Sequence, residues 1–349
     1  MQGSSFQTSK LLFADSFDEA KVAFAPAETL LIFDRKLLSL KSDFKIWLSR
    51  FPFRYGVESG ENLKSLETFP VHARNLARIG AALAPRKMQV VSVGGGSVGD
   101  FAGFYASIFK RGVGLVHIPS TWLAAIDSSH GGKTALNFQK AKNQFGTFYP
   151  AGKVILVRSL LAAQPAERIA DAMGEFGKIA IIDGGPWVRK VELSALKGDE
   201  LLWKFLKPAI ESKIKIVRQD PQELSGHRQL LNLGHTMGHV IEAAYGYSHG
   251  RAVAQGLFFA LELSRESGAL SAATEQRVVK LLSQKLDLQR EDIRPLRRTA
   301  FIKFLQQDKK KSVSDQITFI FIRRLGRCER VQVSVSDLVN EALRQGWVR

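Results

Sequence analysis

A parallel α/β sheet domain followed by a mainly α-helical domain is the architecture this sequence predicts. Two observations carry the prediction. Apolar, β-branched runs alternate with helical periodicity over roughly the first 155 residues, and after Arg158 the pattern changes to long amphipathic stretches. The boundary falls at residue 158, giving domains 1–158 and 159–349; no Pro/Gly/Ser linker marks it, so the halves are expected to pack closely and share a cleft.

Taken in order, the run Thr29 to Phe33 ends in Asp34, and the run Met88 to Val93 ends in Gly94-Gly95-Gly96. Both read as buried strands feeding loops. Leu115 to Ile118 and Lys153 to Val157 repeat the pattern, with helical spacing from Phe69 to Leu83 and from Asp100 to Phe109. In the second half, 163–183, 200–219, 229–245, 250–267 and 273–287 read as amphipathic helices, and Gln316 to Ile322 reads as one strand.

Composition removes several classes. The 349 residues are 45% hydrophobic, enough to fill a core in each half. The greasiest stretch, Ala252 to Leu263, is short and carries Gln255, Gly256 and Glu262, so no membrane span is expected. The first residues, MQGSSFQTSK, lack a charged start and apolar core, which predicts a cytoplasmic protein. One cysteine, Cys328, excludes an internal disulfide and a thiolate cluster, leaving His and carboxylate as metal ligands. The formal charge of +17 suits either nucleic acid or small polyanions. Scattered basic residues without a nucleic-acid motif argue against the former.

Three segments carry chemistry. VVSVGGGSVGD joins a strand to a helix through Gly94, Gly95, Gly96, Ser97, Val98 and Gly99, letting backbone N–H groups approach a pyrophosphate, with Asp100 in the first helical turn. A plain strand-to-helix turn would use two of these glycines. IPSTWLAAIDSSHGGKTALNFQKAKN sets Ser120, Thr121, Asp127, Lys133, Lys142 and Asn143 among glycines beyond a strand's C-terminal end, the composition of a phosphate or carboxylate grip; a decorated surface loop is the plainer reading. LLNLGHTMGHVIEAAYGYSHG places His235, His239 and His249 in fifteen residues, and DAMGEFGKIA offers Glu175 and Lys178 on a helix. Residues i and i+4 share a helix face, so His235 and His239 could both reach a cation, with His249 closing in. Ordinary core or surface histidines remain the alternative. No H-E-x-x-H glutamate is present.

Taken together, SGENLKSLET, VGGGSVGDFAG, KRGVGLVHIPSTWLAAIDSSHGGKTALN, KNQFGTFYP, GEFGK, RQLLNLGHTMGH, SHG and QDKKK stand in the order and near the spacing of the 3-dehydroquinate synthase family, which the chain resembles over nearly its whole length. The resemblance implies a Rossmann-like NAD domain, a helical metal- and substrate-binding domain, an active site between them and a homodimer. It implies zinc, replaceable by cobalt, held by Glu175, His235 and His249, with His239 as a substrate and proton-relay residue. Spacing alone points to His239 as a ligand; the family pattern overrules that. Asp34, Glu61, Lys64, the loop Gly94 to Asp100, Ser120, Thr121, Asp127, Lys133 and Lys142 match NAD-contacting positions. Lys133, Asn143, Lys178, Lys213, Arg228, Asn232, Lys309 and Lys310 match positions that grip substrate, and Arg111 matches an arginine reaching the neighbouring subunit's site.

The implied reaction converts 3-deoxy-D-arabino-heptulosonate 7-phosphate to 3-dehydroquinate and phosphate by transient NAD oxidation, elimination, re-reduction and aldol closure, a shikimate-pathway lyase step. Departures from the family pattern are Arg251 for Glu beside His249, Val157-Arg158 for Asp-Thr, Lys36 for Asn and Ser120 for Thr. The alternatives are a sister cyclase closing an aminated, inosose-type or valiolone-type substrate, a related polyol dehydrogenase, or a catalytically dead relative acting as a basic binding protein. Lys213, Arg228 and His239 favour a carboxylate-bearing substrate.

Overall fold

The computed structural model describes residues 9–20, 24–40, 42–84, 86–139, 141–308 and 315–349. The chain divides into two compact units, Met1–Pro165 and Ala166–Arg349.

In the first unit, β1 (Lys10–Ala14), β2 (Thr29–Asp34), β3 (Phe53–Val57), β4 (Gln89–Gly94), β5 (Gly114–Pro119) and β8 (Lys153–Val157) form one sheet in the order β1-β8-β5-β4-β2-β3. Every neighbouring pair is parallel. Leu30, Leu31, Ile32, Val90, Val91, Val93 and Ile118 are fully buried. Strands covered on both faces read as unbroken apolar runs, which is why these central strands are legible without alternation. From β2 the chain steps outward to β3, then returns to β2's other side as β4, so the strand order reverses between β2 and β4. The C-terminal ends of two such strands splay their following loops apart, leaving a crevice where ligands bind. Asp34 ends β2 and Gly94 ends β4, so both strands deliver their candidate residues there.

The segment after β5 is less of a loop than its composition suggests. Lys133–Phe138 (β6) and Ala141–Phe148 (β7) pair as an antiparallel hairpin of their own. One face of the main sheet is closed by an aromatic cluster of Phe17, Phe44, Trp47 and Phe51.

Ser92 of β4 and His117 of β5 are register partners, and Ser92 Oγ lies 2.6 Å from His117 Nδ1. Burial pushes the imidazole down from 6.5 to about 4. The unfolded chain thus takes up a proton that the folded chain refuses: stability is full above pH 6.5 and falls as the pH drops toward 4. At pH 4 this group alone should cost about 3 kcal/mol. Urea unfolding between pH 7 and pH 4 should show that slope reduced by about one proton in His117→Gln; an unchanged slope would disprove the assignment.

The second unit is built on the helices Ala166–Asp183, Gly198–Gln219, His235–Tyr245, His249–Glu266, Ala272–Lys280, Arg298–Asp308 and Val335–Arg344. The expected stretch 229–245 is broken: a 3₁₀ segment, His227–Asn232, precedes the helix that starts at His235. Gly234 separates them at φ 78°, a left-handed conformation that ends one element and aims the next. The single expected strand has a partner. Gln316–Arg324 (β9) pairs antiparallel with Arg327–Ser334 (β10) through a turn at Gly326. Ser264 Oγ accepts the Ile322 N–H at 2.9 Å, tying β9 to the His249–Glu266 helix. Among the described residues no helix is long and apolar enough to cross a membrane.

Candidate active site

Three helices of the second unit each contribute one ligand-capable side chain. Glu175 sits in the middle of Ala166–Asp183, His235 opens His235–Tyr245, and His249 opens His249–Glu266. A residue at a helix start is held by backbone on one side only, so its side chain can turn toward a neighbouring helix. One donor atom from each lies within 4.8 Å of the others. His235 Nε2 and His249 Nε2 are each 3.4 Å from Glu175 Oε1, while Lys178 Nζ stands 2.5 Å from Glu175 Oε2.

Glycines bring these helices together. Gly174 precedes Glu175 and Gly250 follows His249. A Cβ on Gly174 would strike the Gly250 carbonyl, and one on Gly250 would strike the Asp171 carbonyl. Gly256 meets the Gly234 carbonyl in the same way, beside His235. Backbone-to-backbone contact of this kind leaves no room for any side chain.

Glu175 is 0% exposed and Lys178 is 2% exposed. Burial works against charge on Glu175, but the Lys178 ammonium and the two imidazoles outweigh it and hold the carboxyl well below the usual carboxylate range. Burial pushes His235 down, and Lys178 adds to the effect, so the imidazole is neutral at physiological pH. His235 Nδ1 is 3.2 Å from the Leu233 carbonyl oxygen, and His249 Nδ1 is 3.2 Å from Glu242 Oε2. A ring that donates its Nδ1 proton at such a contact leaves its Nε2 as the acceptor nitrogen on the Glu175 side. Lys178 pairs with Oε2, while Oε1 is the oxygen that the two imidazole Nε2 atoms face. A buried carboxylate facing two imidazole nitrogens suits a divalent cation. The His239 ring stands 5.4 Å from that of His235 and 6.2 Å from that of His249, and its nitrogens are outside the converging group.

Asp171, one turn before Glu175, anchors the start of the His249 helix: its Oδ1 accepts from Ser248 Oγ at 2.6 Å and from the Arg251 N–H at 3.0 Å. Arg251 would place a cation two residues from His249, one of the three converging side chains. Its guanidinium instead pairs in bidentate fashion with Glu291, Nε to Oε1 at 2.7 Å, and lies 4.0 Å from the Tyr247 ring centroid. Tyr247 also donates to Glu291 Oε2 at 2.9 Å. The charge is neutralised locally.

In the first unit, Gly95 is extended and the next helix begins at Gly96, continuing through Ser97, Val98, Gly99 and Asp100. A Cβ on Gly94 would lie 2.6 Å from the Val98 Cβ, so only glycine permits so tight a turn from strand to helix. This is the shape a pyrophosphate requires. Ser97 Oγ accepts the Gly60 N–H at 3.0 Å. Thr121 caps the Trp122–Ile126 helix, accepting the Ala124 N–H at 3.2 Å; Ser120 donates its N–H to the Gly94 carbonyl at 2.9 Å, and Asp127 is half-buried at that short helix's end. Asp34 accepts the Lys36 N–H at 3.1 Å.

Buried Lys64 pairs with Asp100 at 2.6 Å and donates to Asn143 Oδ1 at 2.8 Å. Burial raises the Asp100 carboxyl, partly offset by Lys64. Asn137 donates to Glu61 Oε2 at 2.7 Å and accepts the Asn143 N–H at 2.9 Å, so one amide joins Glu61 to Asn143. Lys133, Asn143 and Asp100 line a cavity of about 440 Å³. Lys142 is exposed on β7.

Lys213 is buried on the Gly198–Gln219 helix; Arg228 is buried with Nη1 donating to the Pro221 carbonyl at 2.8 Å; Asn232 is exposed. Arg111 is exposed at φ 68°. Lys309 and Lys310 lie outside the described residues. The sequence reading passed over Asp171, Glu242 and Asn137. Glu242 had a signal: it lies seven residues after His235 and three after His239, on the same helix face.

Residues 54–171 match the family model described as 3-dehydroquinate synthase N-terminal, and residues 172–311 match 3-dehydroquinate synthase C-terminal. The 3-dehydroquinate synthase of Methylacidiphilum infernorum is 35% identical over 301 residues, 85% of this chain and 80% of that protein. That of Xanthomonas axonopodis pv. citri is 36% identical over 79% of this chain and 76% of its own length. Among solved structures, 2-deoxy-scyllo-inosose synthase complexed with carbaglucose-6-phosphate, NAD+ and Co2+ superposes with a TM-score of 0.82 at 24% identity, covering 97% of both chains. The 2-epi-5-epi-valiolone synthase of Streptomyces hygroscopicus subsp. jinggangensis, with NAD+ and Zn2+ bound, gives 0.80 at 21% identity over 99% of this chain and 98% of its own. These two share the fold. With the two family models matching consecutive stretches from residue 54 to residue 311 and relatives this similar over most of their length, the chain belongs to the 3-dehydroquinate synthase family.

Proposed function

We propose that this protein is a 3-dehydroquinate synthase, converting 3-deoxy-D-arabino-heptulosonate 7-phosphate to 3-dehydroquinate and phosphate. The observation that carries the reading is the convergence of Glu175, His235 and His249 beside buried Lys178, on a chain of this family. Glu175, His235 and His249 would hold zinc, or cobalt in its place, which when bound acidifies a hydroxyl it ligates. The loop Gly94 to Asp100, with Asp34, Glu61, Lys64, Ser120, Thr121, Asp127, Lys133 and Lys142, would hold NAD, which when bound would supply reversible hydride acceptance.

The chain's own residues do the rest. Lys133, Asn143, Lys178, Lys213, Arg228, Asn232, Lys309 and Lys310 grip the substrate's carboxylate, phosphate and hydroxyls, and holding both anionic ends presets the geometry of ring closure. His239, beside the ligands but not converging with them, moves a proton at its imidazole. A homodimer in the cytoplasm, with Arg111 reaching the partner subunit's site, completes the reading.

Inorganic phosphate release from the named substrate, with zinc and NAD added, tests it. No release, alongside turnover of glucose 6-phosphate or sedoheptulose 7-phosphate, would assign a sister cyclase instead. His239→Ala should retain the metal and lose about 10²- to 10⁴-fold in turnover; loss of the metal would make it a ligand.

A further inference from the structure

The two imidazoles that face Glu175 are anchored at their far nitrogens by different chemistry. His235 Nδ1 meets the Leu233 carbonyl, a neutral acceptor two residues back. His249 Nδ1 meets a carboxylate, Glu242 Oε2, at 3.2 Å. Glu242 belongs to the His235–Tyr245 helix, whereas His249 opens the next one, so the contact spans two helices. It is half-buried, with a side chain 24% exposed, and its electrostatic effect is screened less than that of a surface acid.

We propose that Glu242 is the positioning residue of the metal centre: it accepts the Nδ1 proton of His249, fixes the tautomer whose Nε2 lone pair faces Glu175, and supplies the centre's net negative charge. Glu175 and Lys178 are a buried pair whose charges cancel, and an imidazole ligates a metal as the uncharged ring. A divalent cation entering that group alone would meet no net charge. Glu242 adds one negative charge behind His249 and makes that imidazole a more basic ligand. His235, anchored to a carbonyl, gains orientation only. The inference rests on the reading of Glu175, His235 and His249 as a metal site, and not on which sugar phosphate is turned over.

The experiment is Co2+ titration of metal-stripped wild type, Glu242→Gln and Glu242→Ala, in competition with a chelator, following the visible Co2+ spectrum, with Tm of the metal-free proteins in parallel. Glu242→Ala should bind Co2+ about 10- to 100-fold more weakly. Its metal-free Tm should stay near wild type and its Co2+ spectrum should shift. Glu242→Gln, which still accepts the Nδ1 proton but carries no charge, should recover part of the affinity and restore the spectrum. Glu242→Ala binding Co2+ within about twofold of wild type would overturn the proposal. So would a loss of affinity matched by a fall in metal-free Tm that Glu242→Gln shares, which marks a tie between helices only. Wild type taking up no Co2+ would overturn it together with the metal site. Wild type that binds Co2+ but releases no phosphate from the proposed substrate removes the functional assignment and leaves the role of Glu242 supported by its variants.

Discussion

Glu175→Ala should abolish metal binding and turnover together and lower the stability of the metal-free protein by about 3–5 kcal/mol, because it leaves the Lys178 ammonium buried without its partner. The magnitude follows from depth. Glu175 is 0% exposed and Lys178 2% exposed, 2.5 Å apart, so neither charge can recover water when the other is removed. The double variant Glu175→Ala/Lys178→Met separates the two consequences: it should regain most of the stability, since no orphan charge remains, yet still bind no cation. Urea unfolding of the metal-free proteins reads the first and Co2+ titration the second. A single variant as stable as wild type would show that the pair is not buried as described, and retained cation binding would remove Glu175 from the centre.

Gly250→Ala should be the second most damaging change, costing about 3 kcal/mol and weakening the cation site although glycine offers no ligand. The added Cβ falls on the Asp171 carbonyl, and the Gly250 carbonyl is itself covered by Gly174. Backbone cannot rotate away as a side chain can, so the Ala166–Asp183 and His249–Glu266 helices must separate. Their separation draws His249 away from Glu175, and it strains the Asp171 contacts to Ser248 and the Arg251 N–H. Thermal unfolding and Co2+ affinity should therefore fall together in Gly250→Ala, and in Gly174→Ala as well. Normal affinity with lowered Tm would show that the ligands are set independently of the helix crossing.

The central strands β2, β4, β5 and β8 are legible in the residues because a strand buried on both faces must be apolar throughout. The glycine turn Gly94-Gly95-Gly96 is legible because its tight geometry excludes side chains. Most helices of the second unit are likewise visible in their periodicity, which records the buried face of an element, a property of neighbours three and four apart. Strands β1, β3, β6, β7 and β10 are not. They mix polar and apolar residues, and what makes them strands is a hydrogen-bonding partner from elsewhere in the chain.

The candidate site divides along the same line. The chain by itself names the chemistry: histidines crowded after Gly234, a glutamate and lysine one turn apart, lysines among glycines. Spacing cannot rank the histidines, because His235 and His239 are equivalent on the helix; the resemblance to the family ranks them, setting His239 apart from the ligands. Only the packing of three helices brings His249 and Glu175 to His235, sets Glu242 behind His249, and turns Arg251 onto Glu291. Residue pattern is written by local burial, while the meeting of atoms distant in sequence is decided by which faces the folded chain presses together.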